Sequence, residues 1–379
     1  MDFQLTEEQA LVQQNAREFA QTYCEPIAAE IDKTGRHPEE TIKQLIAHDY
    51  MGMIYPEEYG GAEADYLSYI LMVEEISRVC ASTGIIYSAH ISLSMNPIYK
   101  WGSEELKQKY LVPMCKGEKL GAFALTEPGA GTDAASGTCT ATLDGAEYIL
   151  NGTKCFITNG GIADVYTIFA LTDPAKGVKG LSCFVVEKNT PGFEIGKHED
   201  KMGIRGSHTS ELIFKNCHIP KENLVGEEGK GFKYAMMTLD GGRIGVAAQA
   251  LGIAQGALDE AVKFAKERVQ FGKPIATKQA IQWMLADMET QLQAARFLVY
   301  NAAETAGRGV AFSKEAAMAK LFAAEAAEFI CSKAIQIHGG YGFIKDFKVE
   351  RFYRDQRITA IYEGTSEVQR MVIAGSLLR

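Results

Sequence analysis

One carboxylate near the carboxyl end of the chain has the surroundings of a general base. Glu363 stands between Tyr362 and Gly364, and it is the only charged residue in the segment 361–366, IYEGTS. Desolvation raises the pKa of a carboxyl group and makes its carboxylate a stronger proton acceptor. A glutamate next to a glycine is also an ordinary solvated turn residue. The other motifs of the chain must decide between these two interpretations.

A glycine-rich segment in the first half of the chain has the features of a ligand-contacting loop. Residues 125–133 read LTEPGAGTD, so their backbone can approach a bulky ligand closely while hydroxyl and amide groups offer hydrogen bonds. Residues 129–134 imitate a dinucleotide-binding fingerprint. That fingerprint must open a helix, whereas the residues after Ala134 predict a strand and a hairpin. The segment is therefore either a ligand loop of another kind or an ordinary turn.

Charged residues enter apolar helical segments in the second half of the chain. Asp240 and Arg243 lie in such a segment, as a structural ion pair or as ligand contacts. Arg268 lies at the end of a predicted helix, where it either caps the helix or binds an anion. The segment 336–342, QIHGGYG, ends another helix with paired glycines that fit a helix stop or clear space beside a ligand. The charges that follow, Asp346, Arg351 and Asp355, are typical of a salt-bridged surface.

Composition excludes several classes of partner. The formal net charge of −9 argues against nucleic acid and anionic membranes, which would repel the surface on average. Eight cysteines without a Cys-x-x-Cys pair and seven histidines without a ligand spacing predict buried thiols and no metal site. The start of the chain, Met1-Asp2-Phe3-Gln4, lacks signal-peptide features, and no run of 18 apolar residues occurs. We therefore expect a cytoplasmic protein.

The pattern of the chain changes twice and predicts three domains in a mainly α member of the α+β class. Residues 1–121 form a helical domain, in which Thr6 and Gln9 make a capping box and residues 66–78 have a helical period. Residues 122–228 contain strand-like runs with an alternating pattern and a hairpin turn at Asp144-Gly145, which predict a small antiparallel β domain. Residues 229–379 form a helical bundle with breaks at 272–274, 307–309 and 339–342.

In chain order, these motifs resemble the acyl-CoA dehydrogenase family, and the likeness covers essentially the whole chain. Its most specific parts are residues 124–136 and the stretch from Gln336, which places Gly339, Gly340, Gly342, Asp346, Arg351 and Asp355 at the family spacing. Residues 210–214, 239–245 and 361–370 are most similar to the short-chain, butyryl-CoA branch and its bacterial members. The resemblance implies two helical domains enclosing a β domain, a homotetramer, and one FAD per subunit.

The resemblance also implies the site residues. The residues that match flavin contacts are Leu125, Thr126, Gly131, Thr132, Phe156 and Thr158. Those that match contacts to the adenosine diphosphate half of FAD, across a subunit interface, are Arg268, Phe271, Gln279, Gln336, Gly339 and Gly340. Further cofactor contacts match Thr365 and Glu367. Positions near the acyl-CoA thioester and pantetheine match Thr132, Asp240, Arg243 and Gly364.

In this resemblance Glu363 matches the catalytic base. Relatives such as isovaleryl-CoA dehydrogenases carry their base at the position of Gly242, where glycine has no proton acceptor to offer. Phe156 departs from the tryptophan of many mitochondrial members, which leaves flavin shielding intact but makes the electron-transfer surface less certain. The implied chemistry is removal of an α-proton by Glu363 and of a β-hydride by flavin, with the thioester oxygen stabilised by hydrogen bonds.

The implied function is dehydrogenation of a short-chain, butyryl-CoA-like thioester to the trans-2-enoyl-CoA, with electrons passed to an electron-transferring flavoprotein. One alternative keeps the site and reverses the flux, as an enoyl-CoA reductase in an electron-bifurcating complex. Another alternative is a non-catalytic scaffold that binds acyl-CoA or flavin, which would have no need of Glu363. An oxygen-using oxidase is disfavoured because such chains are commonly longer.

Overall fold

The computed structural model describes residues 4–378. Residues 1–3 and 379 lie outside this range, and with them the segment Met1-Asp2-Phe3 and the outer ends of the first and last predicted domains. The domain boundaries themselves stay predictions.

The first helices are α1 (Glu7–Phe19), α2 (Glu25–Thr34), α3 (Glu39–Ala47), α4 (Tyr66–Val79), α5 (Ala81–Ser88), α6 (Asn96–Trp101), α7 (Glu104–Leu106) and α8 (Val112–Cys115). Short π-helical segments at Ala20–Cys24, Ala89–Met95 and Lys107–Leu111 connect several of them.

The amino-terminal helices α1 and α4 begin where the sequence predicts. Thr6 Oγ1 accepts the N–H of Gln9 at 3.2 Å, and Gln9 Oε1 accepts the N–H of Thr6 at 3.1 Å, which confirms the capping box. The predicted helix at 66–78 is α4, capped by Asp65. Nearly all of α4 is buried. Its tyrosines can therefore line an interior site.

The middle of the chain forms a seven-stranded sheet. Its strands are β1 (Gly121–Ala124), β2 (Thr140–Asp144), β3 (Glu147–Thr158), β4 (Val165–Leu171), β5 (Leu181–Glu187), β6 (Phe193–His198) and β7 (Thr209–Pro220). The β2–β3 hairpin pairs Asp144 with Glu147 and turns at Gly145, whose φ is 61°. β3 pairs with β7, β7 with β6, and β4 with β5, all antiparallel. These pairings follow the predicted alternation.

Two pairings within the predicted antiparallel domain are parallel. β1 runs parallel to β4 over residues 121–124, and β2 meets β4 in parallel at a single pair, Thr140 with Leu171. Parallel neighbours need a long crossover, and the loop 125–139 and the β2–β3 hairpin supply it here. Hydrophobic alternation fixes which face of a strand is buried, but not which strand becomes its neighbour.

The carboxyl-terminal part is a helical bundle around one long buried helix. Its elements are α9 (Gly231–Glu267), β8 (Val269–Gln270), β9 (Lys273–Pro274), α10 (Gln279–Gly307), α11 (Ser313–His338), α12 (Lys348–Gln356) and α13 (Ser366–Leu377). The predicted breaks are confirmed, because α9 is followed by the β8–β9 hairpin, α10 ends at Gly307 and α11 ends at His338. α9 packs against α4, α10 and α11. All eight cysteines are free and buried, as predicted.

Two of the three charges after the glycine segment are not surface residues, which corrects the interpretation of a salt-bridged surface. Arg351 and Asp355 are 6% and 3% exposed, while Asp346 is exposed. Asp355 Oδ1 accepts the N–H of Ile204 at 2.5 Å, and Arg351 Nη2 donates to the carbonyl of Val79 at 3.0 Å. Burial raises the pKa of Asp355 to about 6, although Arg351 opposes it. These residues join α12 to the sheet region and to α4.

Candidate active site

Glu363 lies in the connection between α12 and α13, in a backbone conformation that is uncommon for a residue with a side chain. Its φ is 52° and that of Gly364 is 93°, so both residues are left-handed. Non-glycine residues in this region store strain, which native structures keep mainly at functional positions. Among the described residues, the buried Oε2 of Glu363 has no hydrogen-bond partner. An orphaned carboxylate oxygen is costly for folding and available to a ligand.

The electrostatic surroundings of Glu363 are those of a desolvated acid with two cations nearby. Burial raises its pKa to about 7, against the opposing effects of Lys320 and Arg243. A carboxyl group with a pKa near 7 is ionised in part at neutral pH and is a far stronger base than an ordinary glutamate. The sequence analysis expected this dehydration of Glu363. Its catalytic role stays a prediction.

Lys320 was missed by the sequence analysis. It lies on α11, is 0% exposed, and donates from Nζ to the carbonyl oxygen of Gly364 at 2.8 Å. Burial lowers its pKa to about 8, with Glu363 as the leading opposing influence. A signal for this residue existed, because Lys320 is the only charged side chain among residues 316–324 of an alanine-rich helix. A single charged side chain in an apolar helical run costs free energy when it is buried, unless it is paired with another polar group.

Arg243 and Asp240 form the ion pair that the sequence analysis considered. Arg243 Nη1 donates to Asp240 Oδ1 at 2.5 Å, and the hydroxyl of Ser313 donates to the other carboxylate oxygen of Asp240. Both side chains are largely buried. Arg243 keeps a buried Nε with no partner among the described residues. The ion pair leaves one donor of Arg243 available to a ligand, and the predicted substrate contacts of Asp240 and Arg243 stay predictions.

Several groups hold the segment that carries Glu363. Gln369 Nε2 donates to the carbonyl oxygens of Gly364 at 2.8 Å and of Glu363 at 3.3 Å. The hydroxyl of Tyr362 donates to Gln249 Oε1. Thr365 caps α13 by accepting the N–H of Val368, and the predicted cofactor contact Glu367 is exposed in the first turn of α13. Glu363 is therefore fixed on both of its flanks.

The glycine-rich loop after β1 is held by a buried ion pair that the sequence analysis also missed. Lys154 Nζ lies 2.7 Å from Glu127 Oε1 and 3.0 Å from the carbonyl oxygen of Leu125. The carboxylate of Glu127 also accepts the N–H groups of Thr138 and Cys139. The two charged side chains are only 1% and 4% exposed. Because Glu127 lies near the start of the loop and bonds to Thr138 and Cys139 at its end, it holds the two ends together.

Four of the six predicted flavin contacts, Leu125, Thr126, Gly131 and Thr132, lie on this loop, and Phe156 and Thr158 lie at the end of β3. Thr126 accepts the N–H of Cys155 at 3.0 Å, which places it beside Phe156. Phe156 has a φ of 57° and is 65% exposed, an unusual position for a large aromatic ring. Leu125, Thr126 and Thr158 are partly exposed, whereas Gly131 and Thr132 are exposed. Each of them is at least partly open to a ligand, and their contact with a flavin stays a prediction.

A cavity of about 410 Å³ brings together three of the predicted diphosphate contacts. It is lined by Arg268, Gly339 and Gly340, with Tyr341 and His338 beside them. The guanidinium of Arg268 stacks over the ring of Tyr341 at 5.2 Å. The other predicted contacts in this group, Phe271, Gln279 and Gln336, are exposed and lie outside the cavity lining. The sequence resemblance assigns this set to a subunit interface, which a single chain does not contain.

Residues 4–378 contain neither a metal-binding cluster nor a membrane-spanning helix. No group of three or more His, Cys, Asp or Glu side chains is arranged to hold a metal ion. No helix in this range is long and apolar enough to cross a membrane. The predicted cytoplasmic location stays a prediction.

Comparison with known proteins matches every part of this architecture. The family models for the N-terminal, middle and C-terminal domains of acyl-CoA dehydrogenase match residues 6–118, 122–217 and 229–378. The short-chain specific acyl-CoA dehydrogenase of Clostridium acetobutylicum is 55% identical over 379 residues, which is 100% of both chains.

Two solved structures share the fold over their full length. The butyryl-CoA dehydrogenase of Megasphaera elsdenii is 51% identical with a TM-score of 0.98, and 100% of both chains is covered. A chain from a study of the electron transferring flavoprotein of Acidaminococcus fermentans and flavin-based electron bifurcation is 54% identical with a TM-score of 0.99, again over 100% of both chains. This chain belongs to the acyl-CoA dehydrogenase family of flavoproteins, oxidoreductases that act on the CH–CH group of acyl-CoA.

Proposed function

We propose that this protein binds FAD and removes an α,β pair of hydrogens from a short-chain, butyryl-CoA-like thioester to give the trans-2-enoyl-CoA. The observation that carries the proposal is the carboxylate of Glu363, which has a raised pKa and a buried oxygen without a partner among the described residues. The names of the relatives from Clostridium and Megasphaera support short acyl chains. We also propose a homotetramer with an electron-transferring flavoprotein as its redox partner.

In the proposed mechanism, Glu363 accepts the α-proton of the substrate. The α-hydrogen of a saturated thioester is a very weak acid, so negative charge that develops on the thioester oxygen must be stabilised as the proton leaves. Hydrogen bonds to that oxygen supply this stabilisation, with the backbone N–H of Glu363 as the proposed donor from the protein. Arg243 and Lys320 place two positive charges near the carboxylate and favour its ionised form. A bound flavin supplies the chemistry for accepting the β-hydride.

The residues present fit a flavin dinucleotide. β-Carbons built at Gly131, Gly339 and Gly340 meet no atom within 4 Å, so the backbone at both predicted contact regions is open to a ligand. Arg268 offers a fixed cation to a diphosphate group in the neighbouring cavity. The exposed ring of Phe156 offers a face for a flat aromatic system. Open glycine backbone, a cation and an apolar face match the three chemical parts of FAD.

The proposal is tested by replacing the base. We expect Glu363→Gln to bind FAD and butyryl-CoA, and to reduce the flavin at least ~100-fold more slowly, the lower end of what a general base contributes. Stopped-flow measurement of anaerobic flavin bleaching gives this rate, and Glu328→Gln, an exposed change on α11, is the matched control. Bleaching at a near-normal rate in Glu363→Gln would refute the role of Glu363. A colourless protein that does not take up FAD would favour the non-catalytic scaffold instead.

A second candidate function is the reverse reaction, reduction of an enoyl-CoA within an electron-bifurcating complex. The relative from the Acidaminococcus study on flavin-based electron bifurcation favours it. One active site catalyses both directions, and the potentials of the partners set the net flow. Reconstitution with a bifurcating electron-transferring flavoprotein, NADH, oxidised ferredoxin and crotonyl-CoA distinguishes the two: ferredoxin reduction coupled to butyryl-CoA formation supports the reductase, whereas butyryl-CoA oxidation that reduces the flavoprotein, without such coupling, supports the dehydrogenase.

A further inference from the structure

The buried amine of Lys320 has no acidic partner of its own. Among residues 4–378, no carboxylate oxygen lies within the 4.0 Å of an ion pair with Lys320 Nζ, and its hydrogen bond goes to the neutral carbonyl of Gly364 at 2.8 Å. A fully buried ammonium group is expensive unless an opposite charge compensates it. The carboxylate of Glu363, one residue before Gly364, is the acidic group that influences Lys320 most. Lys320 therefore lacks an ion-pair partner, and Oε2 of Glu363 lacks a hydrogen-bond partner, so each charge is compensated mainly by the other.

We propose that Lys320 is the positioning residue of the proposed base: it holds the Glu363-Gly364 segment through the Gly364 carbonyl and keeps the Glu363 carboxylate ionised in an apolar site. This inference rests on the proposed function. It assigns two separable roles to one side chain, a hydrogen bond that fixes the backbone and a charge that favours the carboxylate. The hydrogen bond matters because the backbone at Glu363 and Gly364 has positive φ and needs support from its neighbours.

The other groups around Glu363 do not replace Lys320. Arg243, from α9, is the other cation, but it already pairs with Asp240 at 2.5 Å. From α4, Tyr66 and Tyr69 face Glu363, and burial raises the pKa of both phenols, so both stay neutral and add no charge beside the carboxylate.

The remaining groups are on the segment of Glu363 itself and on α13. The pKa of Tyr362 is raised by burial as well, and its hydroxyl is engaged with Gln249. Glu367 is an exposed anion that acts weakly on Lys320 and offers Glu363 no stabilisation. Lys320 is thus the cation whose charge is not shared with another carboxylate.

Three substitutions separate the charge from the hydrogen bond. Lys320→Met removes both, Lys320→Gln keeps a donor without a charge, and Lys320→Arg keeps the charge. Lys333→Met, on the same helix but partly exposed and stacked on Phe329, is the matched control. The measurement is the pH dependence of anaerobic flavin reduction at saturating butyryl-CoA, from pH 5.5 to pH 9.5, in the FAD-loaded protein.

The expected result is a change in the pH profile. In Lys320→Met and Lys320→Gln the midpoint should move to higher pH by about 1 unit, the lower end of what a nearby opposite charge does to a carboxyl group. Above the new midpoint, Lys320→Gln should recover most of the wild-type rate, while Lys320→Arg and Lys333→Met keep the wild-type midpoint. A merely structural role lowers the rate equally at every pH. An unchanged midpoint in both neutral variants overturns the proposal.

A second measurement needs no catalysis and covers the case in which Lys320→Met loads FAD poorly. Thermal unfolding of Lys320→Gln is compared with that of Lys320→Gln/Glu363→Gln as a function of pH, beside the wild type and Glu363→Gln. If Lys320 stabilises the ionised base, the loss of stability that Glu363 causes as pH rises should be larger, and should continue to a higher pH, in the Lys320→Gln background. Identical pH dependence in both backgrounds would overturn the proposal. If instead no acyl-CoA reduces the wild-type flavin, the proposed function fails while this coupling is still measured.

Discussion

Gly242 on α9 faces the carboxylate of Glu363 so closely that a β-carbon at position 242 would overlap Oε2 of Glu363. The same β-carbon would lie 2.6 Å from Leu93 Cδ2. Position 242 is the one where isovaleryl-type relatives are expected to carry their base. Two separate elements, α9 and the α12–α13 connection, therefore direct their side chains to one point in space. In this chain residue 242 is glycine, so the space is occupied by the carboxylate of Glu363.

Gly242→Ala should lower activity more than stability. The nearest atom is the far end of a flexible side chain, so the carboxylate can move aside, and a misplaced base should slow flavin reduction by about 10- to 100-fold. Stopped-flow reduction by butyryl-CoA and thermal unfolding measure the two effects. Gly375→Ala is the control, because it lies in α13 with no atom within 4 Å of its new β-carbon. That control should keep full activity and gain about 0.4–1 kcal/mol. A Gly242→Ala protein with wild-type rates would show that the carboxylate does not need this position.

Moving the base from one element to the other should restore part of the activity. Glu363→Gly removes the base and places glycine at a φ of 52°, where it is unstrained. Adding Gly242→Glu then extends a carboxylate from α9 toward the vacated point. We expect the single change to reduce flavin at least ~100-fold more slowly and the double change to regain about tenfold or more of that loss. A double variant no faster than Glu363→Gly would mean that the thioester is reached from one side only.

The raised pKa of Glu363 predicts opposite trends for activity and stability. Burial raises this pKa from 4.5 to about 7, so the base loses its activity as pH falls below about 7. The folded state holds the proton more tightly than the unfolded state, so the group stabilises the protein below pH 4.5 and that contribution is lost as pH rises through about 7. Relative to the wild type, Glu363→Gln should therefore gain up to about 3 kcal/mol between pH 4.5 and pH 8. Urea unfolding at several pH values measures it, and a constant difference across this range would contradict the raised pKa.

Features that depend on neighbouring residues in the chain, such as helix caps, turns and helix ends, could be predicted from the sequence. The Thr6 cap, the turn at Gly145 and the helix ends at Gly307 and His338 follow from capping residues and glycines, and all occur as predicted. The single Glu363 candidate came from its apolar neighbours and the family resemblance. These features depend on residues that are close in the chain.

What the sequence analysis missed depends on contacts between distant residues. Lys320 meets the Gly364 carbonyl across 44 positions, and Lys154 meets Glu127 across 27 positions. No local periodicity reports such pairs, because they form only when helices or strands pack. Asp355 was assigned to the surface for the same reason: a charge pattern on α12 does not reveal that its face lies against Ile204. The parallel pairing of β1 with β4 is another property of the packed sheet.

The buried pair of Glu127 and Lys154 should govern cofactor retention. Burial alone would raise the pKa of Glu127, but Lys154 and the N–H groups of Thr138 and Cys139 outweigh it and the pKa is lowered, so the carboxylate of Glu127 is ionised. Removing one member of such a pair leaves an uncompensated buried charge and costs about 3–5 kcal/mol. Because the pair fixes the loop of the predicted flavin contacts, Lys154→Met and Glu127→Gln should both lower the melting temperature and release FAD on dilution.

A matched pair on the same sheet supplies the control. Lys215 Nζ and Glu194 Oε2 lie 3.0 Å apart, close to the 2.7 Å of the buried pair, but their side chains are 65% and 56% exposed. Solvent screens this pair, so Lys215→Met should cost less than about 1 kcal/mol and leave FAD binding unchanged. The double variant Lys154→Met/Glu127→Gln should be less destabilised than the sum of its single changes, since no unpaired charge remains. FAD retention in Lys154→Met equal to that of Lys215→Met would show that the loop keeps its shape without the buried pair.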